Sequence, residues 1–441
     1  MSNTEAVTSG NPAGIRSTIK RPWFIAIICV VVVAIIAGAI ALGSNRGGRI
    51  SAKNLMANVQ VTPVDIGSGN TYTNFGVADF ATALLRLVAN GNDNYLTSPL
   101  SLELALAMTA NGAGGQTQSQ MLDALAGGGS ADALNAFLMD YVAALPSTDK
   151  AKVNIANSIW YDASRGIDVK QSFLQANATW FGAGAYAAPF NAQTIKDMNT
   201  WVSKNTDGMI PNMLDSLDPN AQMVLLNALA LDANWAVPYL EPQVSQGTFT
   251  SADGLQQTVN FMTSTEAQYL DDGLATGFIK PYDQNAYEFV ALLPNQGVTM
   301  TDYLASLTGM KFLNTLQSAA NESVVAQLPQ FSFKSSLDLV DTLKAMGMTD
   351  AFDAGTADFT NMATNAADML LHIGDVKQKT FIDVTPSGTR AGAATEVEML
   401  AGAGYVEPPH TVTLDRPFVF AIVDGQSQQP LFLGIVNTIT S

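Results

Sequence analysis

The sequence predicts an α+β fold for residues 74–441. Three observations support this class. Apolar residues recur at helical spacing through the first third of that range, short apolar runs typical of strands follow, and the two kinds of pattern interleave without a repeating βαβ period. The helical spacing is clearest in Phe75, Phe80, Leu84, Leu85, Leu87 and Val88.

The strand-like runs are short, apolar and bounded by polar residues. Two of them, Val224–Leu231 and Glu288–Leu293, have the composition of strands buried on both faces. The chain ends with two more, Phe418–Val423 and Pro430–Val436, around a polar turn. We also expect a strand at Phe331–Phe333 and a helix over about 337–346. Since no internal repeat or second linker is found, residues 74–441 are predicted to be a single large domain.

The N-terminal region predicts membrane attachment. Residues 23–43 form an uncharged apolar stretch of about the 20 residues that a transmembrane helix needs. Basic residues before it favour a cytoplasmic tail at 1–22, and the polar residues 44–73 are predicted to be a linker. Because Ala39-Ile40-Ala41 resembles a cleavage site, a secretory signal is the alternative. Either interpretation makes the domain extracellular or cell-surface, and the lone Cys29 precludes a disulfide within it.

Composition and motifs argue against several classes of function. The net charge is −17, with 38 acidic and 21 basic residues, which disfavours a nucleic-acid partner. No hydrolase, phosphate-binding or metal-binding motif is found, so we expect no catalytic residue, metal or cofactor. His372 and His410 are the only histidines, and we interpret them as a structural and a surface residue. A hydrolase built on either remains a distant alternative.

Residues 389–399 alternate in character with a period of two. One alternate set contains only uncharged and mostly small residues, whereas the other carries every charge of the segment. This is the pattern of a strand with one buried face, yet Ala and Gly are poor strand formers. The pattern therefore indicates a segment that can form either a loop or a strand. The two sets are Thr389, Ala391, Ala393, Thr395, Val397 and Met399, and Arg390, Gly392, Ala394, Glu396 and Glu398.

Motifs along the whole domain resemble those of the serpin family, in that family's order. The segment Asn94–Ser101 resembles its Asn-x-x-x-Ser-Pro-x-Ser motif, and Asn111–Thr117 resembles the turn that follows. Further matches, each weak alone, make chance unlikely together. They are Asn199-x-Trp201-Val202, Thr206–Ile210, Asn227-Ala228 with Trp235, Leu328–Phe331, Gly347–Phe352, Ala357–Phe359, Arg416–Phe418 and Leu431–Gly434.

The resemblance implies helices packed around three β-sheets and an exposed reactive-centre loop at about 388–409. A target serine protease would cleave this loop, be held as a covalent acyl-enzyme, and be carried along as the freed segment inserts into the main sheet. The chain would then be a monomeric protease inhibitor and not an enzyme. The alternative is a non-inhibitory member of the family, in which the loop is only a substrate or the sheet serves for binding. The hinge of the loop would be Gly388, Thr389, Arg390, Ala391, Gly392, Ala393, Ala394 and Thr395.

The resemblance also implies roles around the loop. Ser98, Ser101, Asn227 and Gln378 would form the cluster where the sheet opens, with Gln378 in place of a usual histidine, and Trp235 would lie in the upper sheet. Counting the family's usual distance to the scissile bond from the start of the loop and from its end gives two different positions. They differ because the loop is about four residues longer than is usual in the family. Without Lys or Arg in the region, chymotrypsin-, elastase- or subtilisin-like targets are expected. The candidate scissile residues are Met399, Leu400, Gly402, Ala403, Tyr405 and Val406.

Overall fold

The computed structural model describes residues 49–57, 59–61, 74–206, 208, 212–217, 219, 221–389 and 408–439. Helices and three β-sheets make up this part of the chain, which confirms the predicted α+β class. Within it no helix is long and apolar enough to cross a bilayer, and the predicted anchor 23–43 lies outside it.

The described helices gather mainly in the first half of the domain. The second of them is buried along its whole length, packed between the main sheet and the six-stranded sheet. Its N-terminal proline is suited to the first helical position, where no backbone donor is needed. The helices are α1 Asn74–Val88, α2 Pro99–Ala110, α3 Gly115–Ala126, α4 Ala131–Ala144, α5 Gln171–Phe181, α6 Ala192–Asn205, α7 Met300–Ser306, α8 Gly309–Gln317 and α9 Val340–Ala345.

Among the described residues the main sheet has seven strands, and a two-residue strand lies near its centre. In order across the sheet they are β1 Lys53–Asn54, β4 Gly184–Ala188, β3 Ala151–Asp162, β5 Met223–Asn234, β14 Gly388–Thr389, β13 Lys377–Thr385 and β12 Phe331–Asp338. Because β14 is antiparallel to both of its neighbours, β5 and β13 run parallel to each other.

Two further sheets lie within the described part of the chain. One has six strands in the order β2 Tyr95–Thr97, β17 Pro430–Val436, β16 Phe418–Asp424, β10 Tyr287–Pro294, β9 Ala275–Pro281 and β8 Gln268–Asp271. The other has four, in the order β15 His410–Thr413, β11 Val324–Pro329, β7 Gln256–Glu266 and β6 Val244–Thr250.

The apolar runs of the sequence lie at the centre of these sheets. Every residue of β16 and β17 is buried, as their unbroken apolar composition predicts. The helix expected over about 337–346 is shorter than predicted. Strand β12 continues to Asp338, and the helix begins only at Val340, where Asp338 accepts a hydrogen bond from the first helical N–H group.

Helix α6 covers the outer face of the lower main sheet and forms a second apolar core there, around Trp160 and Trp201. Part of the predicted linker packs on this region. Ser51 donates from its backbone N–H and its hydroxyl to Asp197 Oδ2, at 2.9 and 2.6 Å, and the backbone of Ala52 donates to the same atom at 3.0 Å. With β1 paired to β4, residues 49–57 lie against the edge of the main sheet.

Glu103 is a buried carboxyl group in helix α2, and it predicts a pH dependence of stability. It is 1 % exposed, its Oε2 atom has no hydrogen-bond partner among the described residues, and burial raises its pKa from 4.5 to about 8. Between these two values the folded chain keeps a proton that the unfolded chain releases. The stabilisation from that proton is therefore complete below about pH 4.5 and is lost as the pH rises through about 8.

We expect Glu103→Gln to remove much of this dependence. From pH 5 to 8, the free energy of unfolding of the parent should fall relative to that of the variant by about 2–4 kcal/mol. Urea unfolding of both proteins across this pH range measures the difference. The exposed Glu241→Gln provides the control. Identical pH slopes for Glu103→Gln and its parent would contradict a buried neutral carboxyl group.

Candidate functional site: the hinge between two parallel strands

The first two residues of the predicted hinge already form a strand within the main sheet. Gly388 pairs with Asn234 on β5, and Thr389 pairs with Ala233 on the same strand. On the other side, Thr389 pairs with Val384 of β13. The hinge thus enters the sheet between β5 and β13, and a continuation of β14 along the same line would run between these two strands.

Glycine at position 388 is required by the close approach of β5. A Cβ atom built on Gly388 would lie 2.2 Å from the carbonyl oxygen of Ala233. The backbone φ angle of Gly388 is +157°. No rotation of a side chain relieves a clash between a Cβ atom and a backbone atom. The hinge can therefore enter the sheet at this position only as glycine.

Thr389 lies on the inner face of the sheet, on an aromatic layer. It is 3 % exposed, and its hydroxyl is hydrogen-bonded to the hydroxyl of Tyr282. The Tyr282 ring stacks on Trp235, with the ring centroids 4.4 Å apart and an angle of 10° between the planes. Burial raises the pKa of Tyr282, so its phenol stays protonated and able to hydrogen-bond.

Trp235 and the segment after it hold the turn that leads into the hinge. The indole Nε1 of Trp235 donates to the carbonyl of Thr385 at 2.9 Å, and the backbone N–H of Trp235 donates to the carbonyl of Ser387 at 3.0 Å. The backbone N–H of Tyr239 donates to the carbonyl of Pro386 at 2.9 Å. These bonds use the carbonyl oxygens of Thr385, Pro386 and Ser387, so the backbone donor that proline lacks is not needed for them.

A buried ion pair lies next to this aromatic layer. Lys280 Nζ lies 2.8 Å from Glu266 Oε1, with the side chains 3 % and 8 % exposed. The ammonium group also lies 4.3 Å from the ring centroid of Tyr239 and 5.4 Å from that of Trp235, within cation–π range. Burial lowers the pKa of Lys280, and the Glu266 carboxylate opposes that shift. Sequence reasoning missed this pair, although a single lysine within the otherwise uncharged strand β9 is a usable signal.

Further down the sheet, β13 is fastened to the start of helix α2. Gln378 Oε1 accepts a hydrogen bond from the backbone N–H of Ser98 at 3.0 Å, and Gln378 Nε2 donates to the Ser98 carbonyl at 2.9 Å. Ser98 Oγ donates to the carbonyl of Leu431 at 3.1 Å. In this region Leu225 of β5 forms a parallel bridge with Val376, the residue just before β13. The strands must therefore separate here before another strand can enter.

The structure brings together two members of the predicted sheet-opening cluster. Gln378 and Ser98 form the reciprocal pair, whereas Ser101 Oγ is buried without a hydrogen-bond partner among the described residues. The side chain of Asn227 lies outside the described part of the chain, although its backbone belongs to β5. The rest of the predicted hinge, residues 390–395, and all candidate scissile residues lie outside it as well.

The two histidines lie in different surroundings. His410, in β15, places Nε2 2.5 Å from Glu322 Oε2 and stacks on Tyr269, with the ring centroids 3.8 Å apart. His372 Nδ1 lies 2.8 Å from the carbonyl oxygen of Leu370. Their contacts are thus with a carboxylate, an aromatic ring and a backbone carbonyl. Within the described ranges, no cluster of three or more His, Cys, Asp or Glu residues could hold a metal ion.

A main sheet with a loop hinge entering between two parallel strands defines a class of fold, and comparisons with known proteins place the chain in it. The family described as "Serpin (serine protease inhibitor)" matches residues 76–439. Serpin B6 of Macaca fascicularis is 29 % identical over 369 residues, which cover 80 % of this chain and 96 % of that protein. The chain belongs to the serpin family.

Solved structures support the same conclusion at the level of the fold. The thermophilic serpin tengpin in its native state matches with a TM-score of 0.82 and 39 % identity, over 88 % of this chain and all of that one. Human thyroxine-binding globulin in complex with its ligand matches with a TM-score of 0.75 and 24 % identity, over 83 % of this chain and 98 % of that one. The second match shows the fold alone.

Proposed function

We propose that the chain is a suicide inhibitor of serine proteases that are not trypsin-like. A protease would cleave the loop at a bond within Met399–Val406 and form an acyl-enzyme with the new C-terminal residue of the loop. The freed segment would then enter the main sheet between β5 and β13 and carry the protease with it. The protein supplies no catalytic residue in this scheme, and the product is a one-to-one covalent complex.

The position of Gly388-Thr389 as strand β14 is the observation that carries this proposal. In the same register, Ala391 would lie between Leu231 and Ile382, both of which are buried. Ala393, two residues later, would reach Leu229 and Thr380, which are also buried. The small uncharged set of the loop would therefore face the core, where a charged or large side chain would be costly.

The register also favours an inhibitor over a non-inhibitory member of the family. Rapid insertion requires that each inward position admit its side chain without a clash or a buried charge. Thr389, Ala391, Ala393 and Thr395 all meet that condition. A loop that serves only as a substrate has no need for this relation between charge and position.

Incubation with a panel of proteases tests the function. The full chain in detergent is mixed with chymotrypsin-, elastase- and subtilisin-like enzymes, with a trypsin-like enzyme for comparison. We expect an SDS-resistant complex with at least one of the first three, and mass spectrometry of the released C-terminal fragment locates the cut. Cleaved monomer without a complex across the whole panel would favour the non-inhibitory alternative.

We also propose that residues 23–43 attach this inhibitor to the outer face of a membrane, with residues 1–22 in the cytoplasm. The uncharged apolar stretch supports attachment, and the basic residues before it support the orientation. Fractionation of cells with an antibody to the domain distinguishes an anchored chain from one that is cleaved and secreted. Domain found only in the medium would support the signal alternative.

A further inference from the structure

Two aspartates lie beside the position that follows β14, on the outer face of the main sheet. Thr389 pairs with Ala233 and Val384, so the next residue pair of the same ladder places position 390 between Asp232 of β5 and Asp383 of β13. Ala233 and Val384 are buried, whereas Asp232 is exposed and Asp383 is half-buried. Since successive residues of a strand point to opposite faces, both carboxylates belong to the outer face.

The residue that follows Thr389 in the sequence is Arg390, and it carries the complementary charge. It is the sole Lys or Arg in the sequence between Lys379 and Arg416. We propose that Asp232 and Asp383 form an acidic clasp that binds the Arg390 guanidinium when the loop inserts, and that this contact holds the inserted strand in the register that β14 begins. The proposal rests on the loop insertion proposed above.

Charges on the neighbouring strands extend the same pattern. Lys152 of β3 pairs with Asp232 across the sheet, so with Arg390 in place the outer face would read basic, acidic, basic, acidic from β3 to β13. Opposite charges at directly paired positions of a sheet stabilise each other, and like charges repel. Without a cation at position 390, the two aspartates would face each other across the inserted strand.

A second charge of the loop agrees with the same register. Six residues after Arg390 along the ladder, Glu396 would lie beside Lys377 of β13, which is half-buried and 2.6 Å from Asp375 through its Nζ atom. Because the two strands are antiparallel, the order of Arg390 and then Glu396 along the loop thus matches β13 read backwards, from Asp383 to Lys377. A slip of two residues keeps the small face inward but separates Arg390 from Asp383. The slip would also place a residue with a Cβ atom against the carbonyl oxygen of Ala233, so Gly388 and the outer charges both favour the same register.

The stability gained when the loop is cut tests the clasp independently of protease trapping. The full chain is nicked in the loop by a thermolysin-type metalloprotease, which forms no acyl-enzyme, and the cut is mapped by mass spectrometry. The midpoint of thermal unfolding is then compared for intact and nicked protein. We expect Arg390→Glu to reduce the gain on nicking by about 2–4 °C relative to the parent, and less so at 0.5 M than at 0.05 M salt.

Two further variants separate the clasp from a general effect of charge. Adding Asp383→Lys to Arg390→Glu restores an opposite-charge pair and should recover at least half of the lost gain. Arg86→Glu, an equal charge change on the exposed end of helix α1, should leave the gain unchanged. An undiminished gain in Arg390→Glu would overturn the clasp and leave loop insertion standing. No gain in the parent itself would overturn the insertion, and the clasp with it.

Discussion

Replacement of Thr389 by arginine is expected to convert the chain from an inhibitor into a substrate of its target protease. Thr389 is 3 % exposed and faces the aromatic layer of Tyr282 and Trp235. Because Thr389 is already buried in the intact chain, the arginine would first displace β14 from the sheet. Insertion after cleavage would then have to bury its guanidinium group without an anionic partner, at a cost of several kcal/mol. Each 1.4 kcal/mol added to the insertion barrier slows insertion about tenfold, while hydrolysis of the acyl-enzyme continues at its own rate.

The measurement is the number of inhibitor molecules consumed for each protease molecule that is trapped. We expect that number to rise at least tenfold in Thr389→Arg, with cleaved monomer replacing the SDS-resistant complex. Thr411→Arg, the same substitution on the exposed face of β15, is the matched control and should inhibit normally. If Thr389→Arg formed as much complex as its parent, insertion would not pass through the position where β14 lies.

The sequence predicted the layers of the fold better than it predicted the contacts around the hinge. The unbroken apolar runs of β16 and β17 could belong only to a core, and the structure buries every residue of both. The ion pair of Lys280 and Glu266 joins residues on two different sheets, and nothing local in either strand indicates the other. Contacts between sheets depend on how the sheets pack, which periodicity within one strand does not encode.

The hinge shows the same division between local and distant information. Alternation alone indicated which loop residues would face inward, and Thr389 does lie on the inner face. Its partner Tyr282 could not be identified, because more than 100 residues of chain separate the two. The role of the Pro386-Ser387 turn could not be identified either, since the donors that bind its two carbonyl groups belong to the backbone of Trp235 and Tyr239. A hydrogen bond from a backbone N–H group does not depend on the type of side chain, so the residue pattern does not indicate it.

Removal of the Lys280 ammonium group is expected to have the largest effect on stability. Lys280→Met keeps the length and apolar stem of the side chain but leaves the Glu266 carboxylate buried without its cation. Loss of one partner of a buried pair costs about 3–5 kcal/mol, because the remaining charge is no longer neutralised. The variant also removes the cation from the faces of Tyr239 and Trp235, so it weakens the layer that supports the hinge.

Denaturant unfolding of the intact chain measures this loss, and a second variant shows its cause. Glu266→Leu combined with Lys280→Met removes both charges and should recover most of the stability, since a buried pair and its apolar replacement are often of similar stability. Lys379→Met is the matched control, because its pair with Asp215 is 3.1 Å long but has an Asp215 side chain that is 87 % exposed. That change should cost less than about 1 kcal/mol. If the double variant were no more stable than Lys280→Met alone, the loss would come from packing around the lysine stem and not from the unpaired carboxylate.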